Sequence, residues 1–154
     1  MMNGVSANAG LFSTGSDLSK FYQIFLDEDI ENEDQVIDNK VVKLFTEYEN
    51  ENLKFYRGLG FDKPKPRYDI NNCTYSSYVS DSSYGHSGYT GTFFWVDPTH
   101  KLIYVFLSNR VYDSRENRQI YDLNVRTNIH DLIYENLVEI ESDIYFIYTI
   151  KNFR

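Results

Sequence analysis

The residues best suited to chemistry in this chain lie in one octapeptide, Gly85-His86-Ser87-Gly88-Tyr89-Thr90-Gly91-Thr92. An imidazole exchanges a proton near neutral pH, and the Ser and Thr hydroxyls beside it donate or accept hydrogen bonds. Three glycines head the apolar run Phe93-Phe94-Trp95-Val96. Glycine weakens a strand, so it marks a place where something comes close to the backbone. On composition alone the segment also reads as a glycine-rich, bulged edge with a satisfied histidine. The other candidates are weaker. His86, His100 and His130 have no metal-ligand spacing among themselves or with Cys73. His100 falls in a turn and reads as solvated. Cys73, the only cysteine, has no internal disulfide partner. Its setting, Asn71-Asn72-Cys73-Thr74, reads as loop rather than as a nucleophile site, and is formally a glycosylation sequon. The acidic run Asp27 to Asp34 lacks the glycine that a calcium loop needs at its sixth position, where Asn32 stands, and reads as a solvated loop.

The elements that must position the octapeptide follow from periodicity. Thr14 and Asp17 form a capping box ahead of Leu18, Phe21, Tyr22, Phe25 and Leu26, which predicts a helix over 15–26. Asp38 can cap a second, shorter helix with Val41, Leu44, Phe45 and Tyr48 inward. Residues 55–61 read as a strand whose Gly58 and Gly60 indicate close backbone approach. Residues 62–83 form a long polar excursion. Asp97-Pro98-Thr99-His100-Lys101 is turn chemistry joining two apolar runs, which predicts a hairpin of central strands over about 84–96 and 102–109. A last helix is expected over 117–137, with Val125, Ile129, Leu132 and Ile133 on one face. The fold class is therefore α+β, an antiparallel sheet flanked by helices.

Composition bounds the partners. The chain has 154 residues, 42% hydrophobic and 25% charged, within the globular range. A net charge of -8 without a Lys/Arg cluster argues against nucleic acid. No run approaches the roughly 18 apolar residues of a membrane helix. The first residues carry neither a basic region nor an apolar stretch of signal-peptide type.

Four segments, taken in order, carry a resemblance. Ala9-Gly10-Leu11-Phe12-Ser13-Thr14 with Asp17-Leu18, then Arg57-Gly58-Leu59-Gly60-Phe61, then Gly85 to Thr92 with Trp95-Val96-Asp97-Pro98 and Ser108-Asn109-Arg110, and finally the helix around Arg126 to Glu135, resemble the C-terminal part of the serine beta-lactamase and penicillin-binding-protein family. The likeness is to its class C and esterase-like branch and covers residues 3–137. It implies the C-terminal part of a beta-lactamase/transpeptidase-like domain over 1–137, and an acyl-enzyme hydrolase acting on beta-lactam, peptide or ester bonds. It implies no cofactor, and a periplasmic or extracytoplasmic setting. His86-Ser87-Gly88 matches the family's third motif. His86 would take the basic position that orients substrate, and Ser87 would donate to the substrate carboxylate or to the hydrogen-bond chain. Gly88 would let substrate lie along the strand, and the Tyr89 N–H would be an oxyanion donor. Removing such a donor typically costs about 3 kcal/mol of transition-state stabilisation.

The sequence departs from the family at the nucleophile. No lysine has a serine three positions before it, so Ser-x-x-Lys is absent. Ser6-Ala7-Asn8, Tyr48-Glu49-Asn50 and Tyr134-Glu135-Asn136 match the second motif only as strings, and none lies upstream of Ala9 to Thr14 where the family places it. The expectation is a C-terminal fragment that is inactive alone. The alternative is a non-catalytic binding module or remnant with an open groove along His86 to Gly91. Uncovered sheet surface, or the tail over 138–154 with its apolar run 144–148, would favour an extra strand or homo-oligomerisation.

Overall fold

A computed structural model describes residues 6, 9–26, 36–48, 56–137 and 145–150. The acidic run 27–34 and the ends of the tail lie outside the described residues. A four-stranded sheet in the order β1-β2-β3-β4 forms the centre, with β1 over Tyr84–Ser87, β2 over Phe93–Asp97, β3 over Leu102–Leu107 and β4 over Tyr145–Ile150. The first three strands are antiparallel, and β4 runs parallel to β3 from Leu102↔Tyr145 to Leu107↔Ile150. Helices α1, Gly15–Gln23, and α2, Asn39–Thr46, lie on one face. Helices α3, Gln119–Asp122, and α4, Val125–Glu135, lie on the other. The architecture is α+β, as expected.

The continuous apolar runs of β2 and β3 follow from burial on both faces. Phe93, Trp95, Tyr104 and Phe106 pack toward Ile120, Val125, Ile129 and Ile133. Val96, Ile103 and Val105 pack toward Phe25, Val42, Leu18 and Tyr22. The Asp97–Lys101 turn joins β2 to β3, and Lys101 takes a positive φ of 50°. The Thr14 side chain accepts the Asp17 N–H at 3.1 Å, as the capping box requires. Asp38 caps α2 through the Lys40 N–H at 2.7 Å.

Five expectations are corrected. The strand expected over 84–96 is two strands, because Gly88 and Gly91 build a turn: the Gly88 N–H reaches Thr92 O at 2.7 Å and the Gly91 N–H reaches Gly88 O at 3.0 Å. Residues 56–61 form no strand. They make a tight turn with an isolated bridge from Arg57 to Asp62, and Asp62 in turn pairs with Gly85. Within that turn Gly58 lies against the Phe45 and Glu47 carbonyls. The helix expected over 117–137 is broken at Asn124, whose φ of 48° is left-handed. Its α4 part turns Arg126, Thr127 and His130 inward and leaves Leu132 exposed. Helix α2 buries Val42 and Thr46, while Val41, Leu44 and Phe45 are exposed. Thr46 can be buried because its hydroxyl donates to Val42 O at 2.9 Å. The fifth correction concerns His100 and is given below. Among the described residues no helix is long and apolar enough to cross a membrane.

Candidate functional site

Strand alternation separates the octapeptide's side chains. Tyr84 and His86 sit opposite Val96 and Phe94 and share the α1 face, whereas Ser87 sits opposite Phe93 on the other face. His86 is half-buried and lines a cavity of about 600 Å³. Gly88, Thr90 and Thr92 of the turn share that cavity with Leu11, Phe12 and Ser13 ahead of α1, and with Ser108 and Asn109 after β3. Leu18 and Tyr22 of α1 and Phe94, Val105 and Leu107 of the sheet form its apolar floor. The Tyr22 ring stacks on Phe94 at 4.0 Å between centroids, and burial raises its phenol well above the usual tyrosine value. Three segments far apart in sequence thus meet at one concave surface.

The turn is held from behind. The Gly91 backbone has φ 95°, and a side chain there would meet Ser108 Oγ and Ile120. Ser108 Oγ donates to Thr90 O at 3.3 Å, and the Arg110 N–H reaches Thr90 O at 2.9 Å. Arg110 Nε donates to Tyr89 O at 2.9 Å, and its guanidinium lies 4.7 Å from the Tyr89 ring centre. Arg110 Nη1 also reaches the Arg115 and Asn117 carbonyls, at 3.1 and 2.9 Å. Sequence reading placed Arg110 only as part of a resemblance; its role as the turn's anchor depends on partners in a polar loop with no local pattern. The Tyr89 amide has no acceptor among the described residues, and the ring is exposed.

Of the sequence-predicted site residues, His86 and Gly88 share the large cavity. Ser87 lines a different one, with Lys63, Lys65, Asn72, Thr74 and Tyr75 on the opposite face. Cys73 is buried with its thiol 3.3 Å from Tyr75 Oη, away from His86.

Two polar centres escaped the sequence reading. His100 is not simply solvated: its Nδ1 lies 2.9 Å from Oδ2 of the fully buried Asp97. The same carboxylate accepts the Ser80 N–H at 2.9 Å, the Ser80 hydroxyl at 2.6 Å and the Tyr134 hydroxyl at 2.6 Å. Burial works against the ionised Asp97, but the bonds from Ser80, Tyr134 and His100 outweigh it and hold the carboxyl below its ordinary value. Burial and the Asp97 charge push the Tyr134 phenol upward. His130 is fully buried between the sheet and α4, and accepts the Ser76 N–H on Nδ1 at 3.1 Å. Burial holds its pKa down at about 3. Among the described residues no group of three or more His, Cys, Asp or Glu is placed to hold a metal ion.

The first three strands of the sheet, and the residues from Leu11 to Asn109 that line the large cavity, fall within the span that a family model matches. The beta-lactamase family model matches residues 2–127, and the chain belongs to that serine beta-lactamase and penicillin-binding-protein-like family of hydrolases. It is 33% identical over 128 residues to the "Putative D-alanyl-D-alanine carboxypeptidase" of Escherichia coli (strain K12), covering 79% of this chain and 28% of that protein. It is 30% identical over 125 residues to the "N-acetylmuramyl-L-alanine amidase" of Bacillus subtilis (strain 168), covering 79% of this chain and 27% of that one. The chain therefore spans little more than a quarter of the curated relatives it matches. No solved structure matches significantly.

Proposed function

We propose that this chain is the C-terminal portion of a serine hydrolase of the acyl-enzyme type, and that it forms the substrate-orienting wall of a site whose nucleophile is supplied from outside these 154 residues. The observation that carries this reading is the convergence of Leu11-Phe12-Ser13, His86 with Gly88, Thr90 and Thr92, and Ser108-Asn109 on one cavity. Its polar rim and apolar floor suit a small acylated peptide or ester. The carboxypeptidase name of several relatives supports a peptide ending in D-alanyl-D-alanine as the substrate class. His86 is the basic group facing that substrate. The turn amide at Tyr89 is one of two oxyanion donors, held in place through Arg110. Ser87 faces the other side of the sheet, so its part is confined to supporting the strand. The absence of Ser-x-x-Lys makes the isolated chain inactive.

The test is covalent labelling. Incubated with a fluorescent penicillin and with a fluorophosphonate, the chain should show no adduct in its intact mass. Stoichiometric acylation of any serine would sink the fragment reading. Joined to an upstream portion bearing Ser-x-x-Lys, the same chain should restore labelling, and His86→Ala should then lower turnover far more than melting temperature. Saturable peptide binding with no labelling in either form would favour the second reading, a binding module with a substrate-type groove.

A further inference from the structure

The Tyr89 ring is the exposed end of a series of rings and guanidinium groups. The Tyr121 ring centre lies 5.1 Å from the guanidinium carbons of both Arg110 and Arg126, and Arg110 lies 4.7 Å from the Tyr89 ring centre. Arg110 is buried and tied to four groups, donating to Tyr89 O, Tyr121 Oη, Arg115 O and Asn117 O. The Tyr89 ring is therefore anchored at its back on a fixed cation, while 66% of the residue stays exposed. A large ring held in one place gives contact area at little cost in side-chain freedom.

Its setting says what that ring would meet. Tyr89 stands between Gly88 and Thr90, which both line the His86 cavity, so the ring sits at the rim. The cavity lining holds no Asp, Glu, Lys or Arg, and His86 is its only basic side chain. The Thr90 hydroxyl and the Asn109 side-chain amide line it too, and neither has a hydrogen-bond partner among the described residues. The guanidinium behind the ring repels a second cation, and the negative π face repels an anion. A neutral group suits the free face. A purely aromatic group would stack there but would cover Thr90 and Asn109 without bonding them, which costs free energy. A pyranose ring presents a flat C–H face for stacking and hydroxyl or amide groups at its edge.

The geometry points to a saccharide subsite at this rim, in which the Tyr89 ring stacks on a neutral pyranose and Thr90 and Asn109 bond its polar edge. The inference rests on the reading of the His86 cavity as a substrate wall, and makes that substrate sugar-bearing.

The test is a nuclear magnetic resonance titration of the full labelled chain with N,N′-diacetylchitobiose, a neutral disaccharide carrying hydroxyls and amides. Wild type should show saturable shifts of the Tyr89 ring and of the Thr90 and Asn109 amides. Tyr89→Phe keeps the plate and should keep the affinity. Tyr89→Leu is apolar but not flat, and Tyr89→Ala has no ring; each keeps the backbone N–H and should weaken binding about ten-fold. The position is exposed, so the melting curves should match wild type. Benzyltrimethylammonium and benzyl alcohol serve as cationic and aromatic probes. No shift at saturating disaccharide, equal binding by Tyr89→Leu and Tyr89→Phe, or stronger binding of either probe at these residues would overturn the assignment. A peptide ending in D-alanyl-D-alanine is titrated in parallel. Peptide shifts at His86 without a disaccharide response would sink the saccharide subsite and leave the hydrolase reading; the reverse would sink the peptide assignment and leave the subsite.

Discussion

Acid should destabilise this fold through a single imidazole. His130 is enclosed by Phe93, Tyr104 and Tyr134, with ring centroids 4.7 to 6.0 Å away. The Ser76 N–H donates to its Nδ1, so the neutral ring carries its proton on Nε2, which has no hydrogen-bond partner. Protonation puts a second proton on Nδ1, facing the Ser76 N–H, and leaves a buried cation. Burial holds the folded pKa at about 3, against 6.5 for the free side chain, and the Asp97 charge offsets only part of the effect. The sign follows. The unfolded chain binds this proton as pH falls through 6.5 and the folded chain does not until about pH 3, so stability present above pH 6.5 drains away across that interval. At about 1.4 kcal/mol per pH unit, the loss between pH 7 and pH 4 is about 3 kcal/mol. That is a large share of the 5–15 kcal/mol typical of a domain. The assay is urea unfolding of wild type and His130→Gln across this range. Gln keeps an acceptor for the Ser76 N–H and does not titrate. The wild-type curve should fall more steeply, by about one proton's worth of slope. Parallel curves would refute the account of His130 as a buried neutral acceptor.

Two further substitutions probe the frame. Asp97→Asn removes the charge that five polar groups of Ser80, His100 and Tyr134 converge on, and should cost about 2 kcal/mol in urea unfolding; a loss within experimental error would mean the cluster is solvated. Gly91→Ala forces a side chain into a left-handed position against Ser108 Oγ and Ile120, and should cost about 2 kcal/mol and weaken ligand binding in the His86 cavity; a melting curve matching wild type would mean the turn is built differently.

The locally encoded elements were legible. The capping box of Thr14 and Asp17, the Asp38 cap and the Asp97–Lys101 hairpin turn each act within a few residues, and each is where the pattern put it. The glycines of Gly85 to Thr92 were ambiguous, because a glycine that weakens a strand also suits a turn; Gly91 resolves the matter through its positive φ. The break at Asn124 left no mark on the apolar period, because Val125, Ile129 and Ile133 all follow it and keep their helical spacing within α4. The inward face of α2 depends on Thr46 satisfying its own hydroxyl, which hydropathy does not register. Long-range pairs such as Ser76 with His130, or Asp97 with Tyr134, join segments whose meeting only the folded sheet determines. His86 and Gly88 were placed at the candidate site by resemblance, and the cavity supplies a physical reason for pairing them with Leu11 to Ser13.

The most direct measurement of the central claim is a nuclear magnetic resonance titration of the isotopically labelled chain with an N-acyl peptide ending in D-alanyl-D-alanine. The account predicts saturable amide shifts at His86 to Thr92, Leu11 to Ser13 and Ser108-Asn109, with α4 and the Asp97–Lys101 turn unmoved. Shifts confined to another face, or none at saturating peptide, would contradict it.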